Sequence, residues 1–360
     1  MSVCIYSPSE KIWGGGQIYI DNLCRYLNDH GMEAVIATSE PESFSSPAMR
    51  MASVSSKKRR LFSAPAVAKR LKRKGVQVIL LNDLSSLWLA PVFRLYGLKV
   101  VSLLHLYLQR RNAAGLGHSW SEFHLLRMSS RFAQKVYSVN KNNQATFPVP
   151  VEVVGNFISS WFFEAAGVEA KCYGLGVVAR LSPEKNIPLF VRLVAKLNDI
   201  SPQPVRALIV GKGEEEARVR KEIERFGMEA LIDLRPWADR SELPRIFDQL
   251  KCFAITSYHE GFATTLLEAH ARGVPAITTR SAGFCPEFVQ GWGPETGLVF
   301  DPEDLDSDEF LRTVLRLIGD SAAYAESCRV KAGKFTEDRV LGEIHSGIRA
   351  LMRDGVAAAQ

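Results

Sequence analysis

With 360 residues, 46% of them apolar and 23% charged, the chain has a globular composition and is too long for one ordinary core, so two domains are expected. Six scattered cysteines (Cys4, Cys24, Cys172, Cys252, Cys285 and Cys328) with no C-x-x-C pair exclude a disulfide or zinc framework and read as reduced, mostly buried thiols. No apolar run is long enough to span a bilayer, and no basic leader with a cleavage site precedes the first strand, so a cytoplasmic location is expected.

In chain order, "VCIYS" reads as a strand, followed by a glycine loop and a helix over residues 17–30. Gly31 is placed to stop that helix, and "EAVIAT" is the next strand. "VQVILLN", "KVVSLL" and "QKVYSV" continue the series as buried strands. The stretch "VVGNFISSWFFEAAGVEAKC" has no clear period and reads as the linker. Alternation then restarts with strand "YGLGVVA", helix "IPLFVRLVAKLN", strand "VRALIVG", a helix over 214–226, and strands "LIDLR", "CFAIT" and "VPAITT". A closing helix is expected over about 335–354. Such alternation means βαβ units in parallel sheets, and two series mean two doubly wound domains.

The net charge of +6 hides an asymmetry: residues 1–163 carry +11 and the remainder −5. Ten cations lie between Arg50 and Lys74 with no acid among them. Such a patch attracts polyanions or an anionic lipid surface, and otherwise is a solvated face. "APAVAKRLKRK" would form a helix with alanine, valine and leucine on one side and cations on the other, suited to an interface. No nucleic-acid motif accompanies it, so nucleic acid is not an expected partner.

In open parallel sheets, ligands bind at the carboxyl ends of strands, and the chemically interesting residues fall in those loops. "WGGGQIY", Trp13 to Tyr19, places glycines before a helix start, where free N–H groups attract an anion or the loop merely turns; it is not G-x-G-x-x-G. In "VVARLSPEKN", Arg180 and Lys185 follow a strand and precede a helix, either to neutralise a diphosphate or as surface cations. The acids of "GKGEEEAR" read as a helix cap, and "DPEDLDSDEF" reads as capping rather than a metal site. His105 ends the run "KVVSLLH" at a strand's carboxyl end, whereas His118 and His124 have no clear context. Glu260 and Glu268 stand eight positions apart in "HEGFATTLLEAHARGVPAI", one outside a helix start and one among apolar residues.

These segments carry a resemblance. "ARLSPEKN", "RALIVGKGEE", "HEGFATTLLEAHARGVPAI", "AGFCPEFVQ" and "TGLVFDPED" occur in this order, and the set is similar to the nucleotide-sugar-binding half of retaining glycosyltransferases of family 4, with the GT-B fold and an E-x7-E motif. "GGGQIYIDNLCRYLNDHGMEAVIAT" and "VVGNFISSWFF" resemble that family's opening unit and interdomain segment; from about residue 40 to 150 the likeness is weak. The resemblance implies an α/β chain of two doubly wound Rossmann-like domains facing across a cleft. It implies an acceptor-binding domain over 1–158, a donor-binding domain over 159–340, and a helix over 341–360 packing back on the first domain.

By similarity, the catalytic residues are His105, Arg180, Lys185 and Glu260, with His105 and Glu260 at the donor sugar and both cations at the leaving diphosphate. Glu268 would accept from the ribose hydroxyls. Gly15, Gly16, Gly211, Gly261, Phe262, Ala263 and Thr264 would border the donor, and Pro236 or Trp237 its base. Glu287 matches a family acid. No metal or other cofactor is expected. The implied partners are a nucleotide-sugar donor, UDP-sugar favoured, and a lipid-linked or saccharide acceptor. The cations from Lys57 to Lys74 add an anionic membrane surface as an expected partner, at the cytoplasmic face of the inner membrane.

Three departures bear on specificity: Ala263 replaces a frequent glycine, "PWAD" replaces "G-x-V" before the base loop, and Leu106-Tyr107 follows His105. A transferase for a small soluble acceptor, a nucleotide-sugar epimerase and a non-catalytic nucleotide-sugar-binding protein stay open as alternatives.

Overall fold

The computed structural model describes residues 2–8, 15–51, 57–111, 117–164 and 171–357, with the backbone alone for 57–60 and 354–357. The chain divides into two compact units, one of residues 1–156 with 338–360 and the other of 157–337. The crossings therefore fall at 156/157 and 337/338, not at the expected 158/159 and 340/341.

In the first unit the order is β1 (Val3–Tyr6), α1 (Gly15–Asp29), β2 (Ala34–Thr38), β3 (Ala48–Arg50), α2 (Lys57–Arg73), β4 (Val78–Leu81), α3 (Leu84–Leu87), α4 (Ala90–Leu95), β5 (Lys99–Leu104), α5 (Trp120–Ser129), β6 (Lys135–Ser138), α6 (Asn142–Thr146) and β7 (Glu152–Val153). All its strand pairs are parallel, in the order β3-β2-β1-β4-β5-β6-β7. The strands are runs of Val, Ile and Leu buried on both faces, which parallel sheets require. One face is covered by Ala64, Ala68 and Leu71 of α2, Ala90 and Phe93 of α4, and Leu126 of α5.

α1 begins two residues earlier than expected, inside the glycines, and ends before His30. Gly31, at φ 80°, closes it by donating to the Asn28 carbonyl. α2 begins seven residues before the expected "APAVAKRLKRK" and carries Pro65 within it. β3 and β7, of three and two residues, are too short to show a period.

The second unit runs β8 (Tyr173–Val178), α7 (Ile187–Ile200), β9 (Ala207–Val210), α8 (Glu216–Arg225), β10 (Ile232–Arg235), α9 (Leu243–Asp248), β11 (Leu250–Ile255), α10 (Thr264–Ala271), β12 (Ala276–Thr279), β13 (Gly297–Phe300), α11 (Asp308–Gly319) and α12 (Ala325–Ala332). Its sheet is also parallel, in the order β10-β9-β8-β11-β12-β13. α13 (Glu337–Ala357) follows and returns to the first unit. There Lys99 Nζ donates to the Leu351 carbonyl, and Val340, Leu341, Ile344 and Ile348 are buried.

Three local readings are settled by contacts. In "DPEDLDSDEF", Asp301 and Asp304 form a capping box and the Ser307 hydroxyl accepts from the Phe310 N–H at 3.3 Å, as expected of caps. The acids of "GKGEEEAR" do not cap: Glu215 and Glu216 pair with Arg218 and Arg220 one turn along, at 2.7 and 2.8 Å. Five cysteines are buried and free, whereas Cys172 is exposed. Among the described residues no helix is long and apolar enough to cross a membrane.

Candidate functional site

The sheet of the second unit reverses its winding between β8 and β11, where open α/β sheets bind ligands. After β8, "SPEK" closes a 3-10 turn over Pro183–Lys185 that ends on Asn186 in the left-handed conformation, φ 48°. A non-glycine residue there stores roughly 1–2 kcal/mol of strain, a mark of sites whose geometry matters. The turn aims Lys185 at the loop after β11. Lys185 Nζ donates to Glu260 Oε1, and the Ser257 hydroxyl donates to the same oxygen at 3.0 Å. Both side chains are largely buried, at 20% and 14% exposed. The Thr256 hydroxyl donates to the Lys185 carbonyl (3.0 Å), and the Tyr258 N–H to the Glu184 carbonyl (2.9 Å). The two loops are thus pinned together by backbone as well as charge.

Arg180 is half-exposed and lies 3.5 Å from Glu184, whose carboxylate also accepts from the Ser182 hydroxyl at 2.6 Å. Burial pushes the Glu184 carboxyl up, but the Ser182 and backbone hydrogen bonds and the charges of Arg180 and Lys185 outweigh it and hold it below the usual range.

A third loop braces the second. The Thr279 and Ser281 hydroxyls both donate to the Ser257 carbonyl, at 2.7 and 3.0 Å, and the Phe284 N–H donates to the Gly261 carbonyl at 3.1 Å. Gly283 sits at φ 59°, and a Cβ there would fall 2.1 Å from the Glu260 carbonyl oxygen and 2.7 Å from that of Gly261. Gly283→Ala is therefore expected to destabilise the protein by about 3 kcal/mol, from left-handed strain plus a backbone clash. It should also displace Glu260. A urea midpoint unchanged from wild type would show that the loop yields freely.

Beyond Gly261, Phe262 is buried among Phe284, Phe288 and Phe335, with ring centroids 5.1–5.4 Å away. Its side chain anchors the loop in the core. Ala263 opens α10 without a side-chain cap, and its own N–H is taken by Cys285 Sγ at 3.4 Å. Thr264 is then the first residue of the helix. One turn in, Glu268 is 4% exposed. Burial pushes its carboxyl up to about 7, opposed by the Arg240 guanidinium 3.8 Å away. Arg240 in turn lies 5.9 Å from the rings of both Trp161 and Phe162.

Gly211 is a close-approach residue: a Cβ would fall 1.9 Å from the Ala179 carbonyl oxygen. It brings the end of β9 against the end of β8 and has no observed role beyond that. Pro236 and Trp237 follow β10 and are exposed. Glu287 begins a π-helical turn, Glu287–Gly291. Sequence reasoning missed what holds that turn. Lys331, fully buried, donates to the Phe288 and Val289 carbonyls and to the Thr296 hydroxyl, which also meets His270 Nε2 at 2.9 Å. A lysine and a histidine in unrelated helical patterns gave no signal of this network.

In the first unit, His105 stands at the carboxyl end of β5, its Nε2 2.9 Å from Asn82 Oδ1 at the end of β4. Asn82 Nδ2 reaches the Ser7 hydroxyl after β1, at 3.4 Å. The Tyr19 ring meets the imidazole edge-on at 5.0 Å, and Gly16 passes close enough that a Cβ would lie 3.7 Å from His105 Cδ2. Burial pushes the His105 pKa down to about 4, so the ring is neutral near pH 7. Asn82 and Ser7 were not legible as partners. Gly15 is exposed at the start of α1, whereas Trp13 and Gly14 lie outside the described residues.

Two family models match: "Glycosyltransferase Family 4" over residues 13–158 and "Glycosyl transferases group 1" over 164–334. Among curated proteins, a D-inositol 3-phosphate glycosyltransferase of Corynebacterium jeikeium is 29% identical over 144 residues, 38% of this chain and 34% of that protein. The lipopolysaccharide core biosynthesis mannosyltransferase LpsB of Rhizobium meliloti is 26% identical over 201 residues, 52% of this chain and 55% of that one. The chain spans between 20% and 40% of the length of the first curated relatives it matches. HepE of Anabaena, solved with UDP, superposes with a TM-score of 0.79 at 18% identity, covering 97% of this chain and all of that one. The apo lipopolysaccharide outer core galactosyltransferase WaaB gives 0.77 at 15%, covering 97% and 99%. At these identities the superpositions carry the fold, two Rossmann-like domains of the GT-B type.

Proposed function

The chain belongs to the family 4 type of glycosyltransferases, and from that premise we propose that it moves a hexose-type sugar, with retention, from a UDP-sugar to a hydroxyl of a glycolipid, lipopolysaccharide or exopolysaccharide acceptor. The observation that carries this reading is the Lys185–Glu260–Ser257 constellation at the winding reversal of the second unit, with Glu268 one turn along the helix that follows. The donor base is suggested by the relative solved with UDP, and the acceptor class by relatives named for lipopolysaccharide synthesis. Cations concentrated over residues 57–74 suit an acceptor presented at an anionic membrane face.

In this mechanism Glu260, held by Lys185 and Ser257, accepts from donor-sugar hydroxyls. Glu268 accepts from the ribose, and Trp237 lies along the base. In the first unit, neutral His105 can hydrogen-bond a hydroxyl without adding charge. The acceptor oxygen bonds to the anomeric carbon on the face that the diphosphate leaves, and the carbon–oxygen bond to the β-phosphate breaks. The acceptor proton passes to that phosphate. Lys185 and Arg180 neutralise the charge that develops on the phosphate, the part a divalent cation would otherwise play. Arg180 must exchange Glu184 for the phosphate to do so.

The decisive experiment is a thermal-shift series with UDP-, GDP-, ADP- and TDP-sugars, each with and without a chelator, followed by NMR of the product's anomeric coupling. Stabilisation by a UDP-sugar that survives chelation, and a product of unchanged anomeric configuration, is the expected outcome. An inverted product would end the retaining mechanism, and stabilisation only with magnesium or manganese would end the metal-free one.

A further inference from the structure

On the first unit, α2, α4 and α5 cover one face of the sheet with small and aliphatic residues turned inward. Their outward side is unusual for a soluble surface. Leu95 at the end of α4 is 85% exposed, Phe62 on α2 82%, and Trp120 at the start of α5 68%. Leu125 and Met128, and Phe132 in the turn after α5, are each about half exposed. On a helix, Trp120, Leu125 and Met128 fall on one side, so they form a stripe rather than a scatter. The elements adjoin: α2 packs on α4, and α4 on the turn that carries Phe132. Lys72 Nζ of α2 donates to the Gly97 carbonyl just beyond α4, and Lys69 lies over the Tyr96 ring at 5.8 Å.

Charge on this segment is nearly one-signed. Between Met51 and Phe132 there are fifteen Lys and Arg residues against two acids, Asp83 and Glu122. Asp83 is spent capping α3, accepting from the Ser86 N–H. Exposed cations Lys69, Arg70 and Arg73 lie on α2, Arg94 on α4 and Arg131 in the turn after α5, the same elements that carry the apolar residues. A partner for this face must be anionic over a broad area and must also accept protruding aromatic and aliphatic side chains. Headgroups above acyl chains meet both demands, and a tryptophan beside cations is a common arrangement at that boundary.

We propose that the outward face of α2, α4 and α5 docks on an anionic lipid bilayer by insertion of Phe62, Leu95, Trp120 and Met128, with the cations of these elements held at the headgroups. This deepens the membrane-face reading of the acceptor given above. It goes beyond charge attraction alone, because inserted side chains resist salt while surface charges do not.

The test uses the full chain with phosphatidylcholine vesicles, with and without phosphatidylglycerol, at low and at molar salt, with no donor or acceptor present. Failure here therefore leaves the transfer reaction untouched, and failure of transfer leaves the docking untouched. Association with phosphatidylglycerol vesicles is expected, weakened by salt yet persistent, with a blue shift of tryptophan emission that Trp120→Phe removes. Leu95→Ser combined with Met128→Ser should lower vesicle affinity at least about tenfold and abolish the salt-resistant fraction. Lys69→Glu with Arg73→Glu should weaken binding mainly at low salt. Both pairs of sites are exposed, so an unchanged melting curve serves as the folding control. Three results overturn the inference: no association with any vesicle; association fully reversed by salt and indifferent to the serine pair; or a dimer in solution that the serine pair dissociates, which would make the occupant a second copy.

Discussion

Replacing Lys185 with alanine is expected to lower kcat/KM about a thousandfold, close to 4 kcal/mol of transition-state stabilisation, in a protein that still folds. Two effects add. The cation that meets the departing diphosphate is gone, and Glu260 is left as a largely buried carboxylate with only the Ser257 hydroxyl donating to the oxygen they shared. An unpaired charge in that setting recruits water or rotates away from the sugar. Lys185→Met separates packing from charge, because it keeps most of the volume. If the methionine variant turns over within tenfold of wild type, the ammonium group has no electrostatic part in the reaction. Circular dichroism melts of both variants control for folding, since the Thr256 and Tyr258 backbone-side contacts that tie the loops do not depend on the side chain.

The second large effect runs in opposite directions for stability and binding. Glu268 is nearly sealed from solvent, and its carboxyl titrates at about 7 in the folded protein against an ordinary value of 4.5. Between those values the folded state holds a proton that the unfolded state has lost. Stability therefore falls as pH rises through this window. The full penalty, about 3 kcal/mol, is present above pH 7 and absent below pH 4.5. Glu268→Gln should thus melt higher than wild type at pH 8, by about 5 °C, and no higher at pH 4.5. The same change should weaken UDP binding about tenfold to a hundredfold, because an amide oxygen replaces a charged acceptor for the ribose hydroxyls. In the wild type, nucleotide affinity should climb from pH 5 to 7 and then level off. Calorimetry and scanning calorimetry over that range supply both readouts. A glutamine variant that melts lower at pH 8 would overturn the burial penalty, and one that binds UDP undiminished would remove Glu268 from the ribose.

The strands were readable because a parallel sheet buried on both faces leaves uninterrupted Val/Ile/Leu runs; "KVVSLL" coincides with β5 residue for residue. Positions after strand ends were readable for the same reason, which is how His105 and Lys185 could be singled out, whereas Glu260 stood out by its spacing from Glu268 across a helix start. Their partners were not. Lys185 and Glu260 are 75 residues apart, and Arg240 reaches Glu268 from a loop with no periodicity, so only the folded chain pairs them. Phe262 looked like part of a ligand-facing loop, but aromatic packing claims it, and Cys285 claims the N–H of Ala263. The acids at the start of α8 looked like caps because a first-turn position suits the dipole, although the arginines three and four residues on already offered the pairing they make. Gly283 gave no signal, since the backbone it must clear belongs to a loop more than twenty residues earlier.

The double crossing of the chain has a consequence for biosynthesis. α13 lies on the first unit, with Gly347 passing over the Tyr137 hydroxyl so closely that a Cβ would sit 1.8 Å from it, yet it is translated after the whole of the second. During elongation the second unit emerges complete and can consolidate at once. The earlier-made portion waits, with the apolar ground later occupied by Val340, Leu341, Ile344 and Ile348 still open to water. A nascent chain paused between the two events therefore presents a finished second unit and a sticky, unfinished first, the state on which a holdase would act.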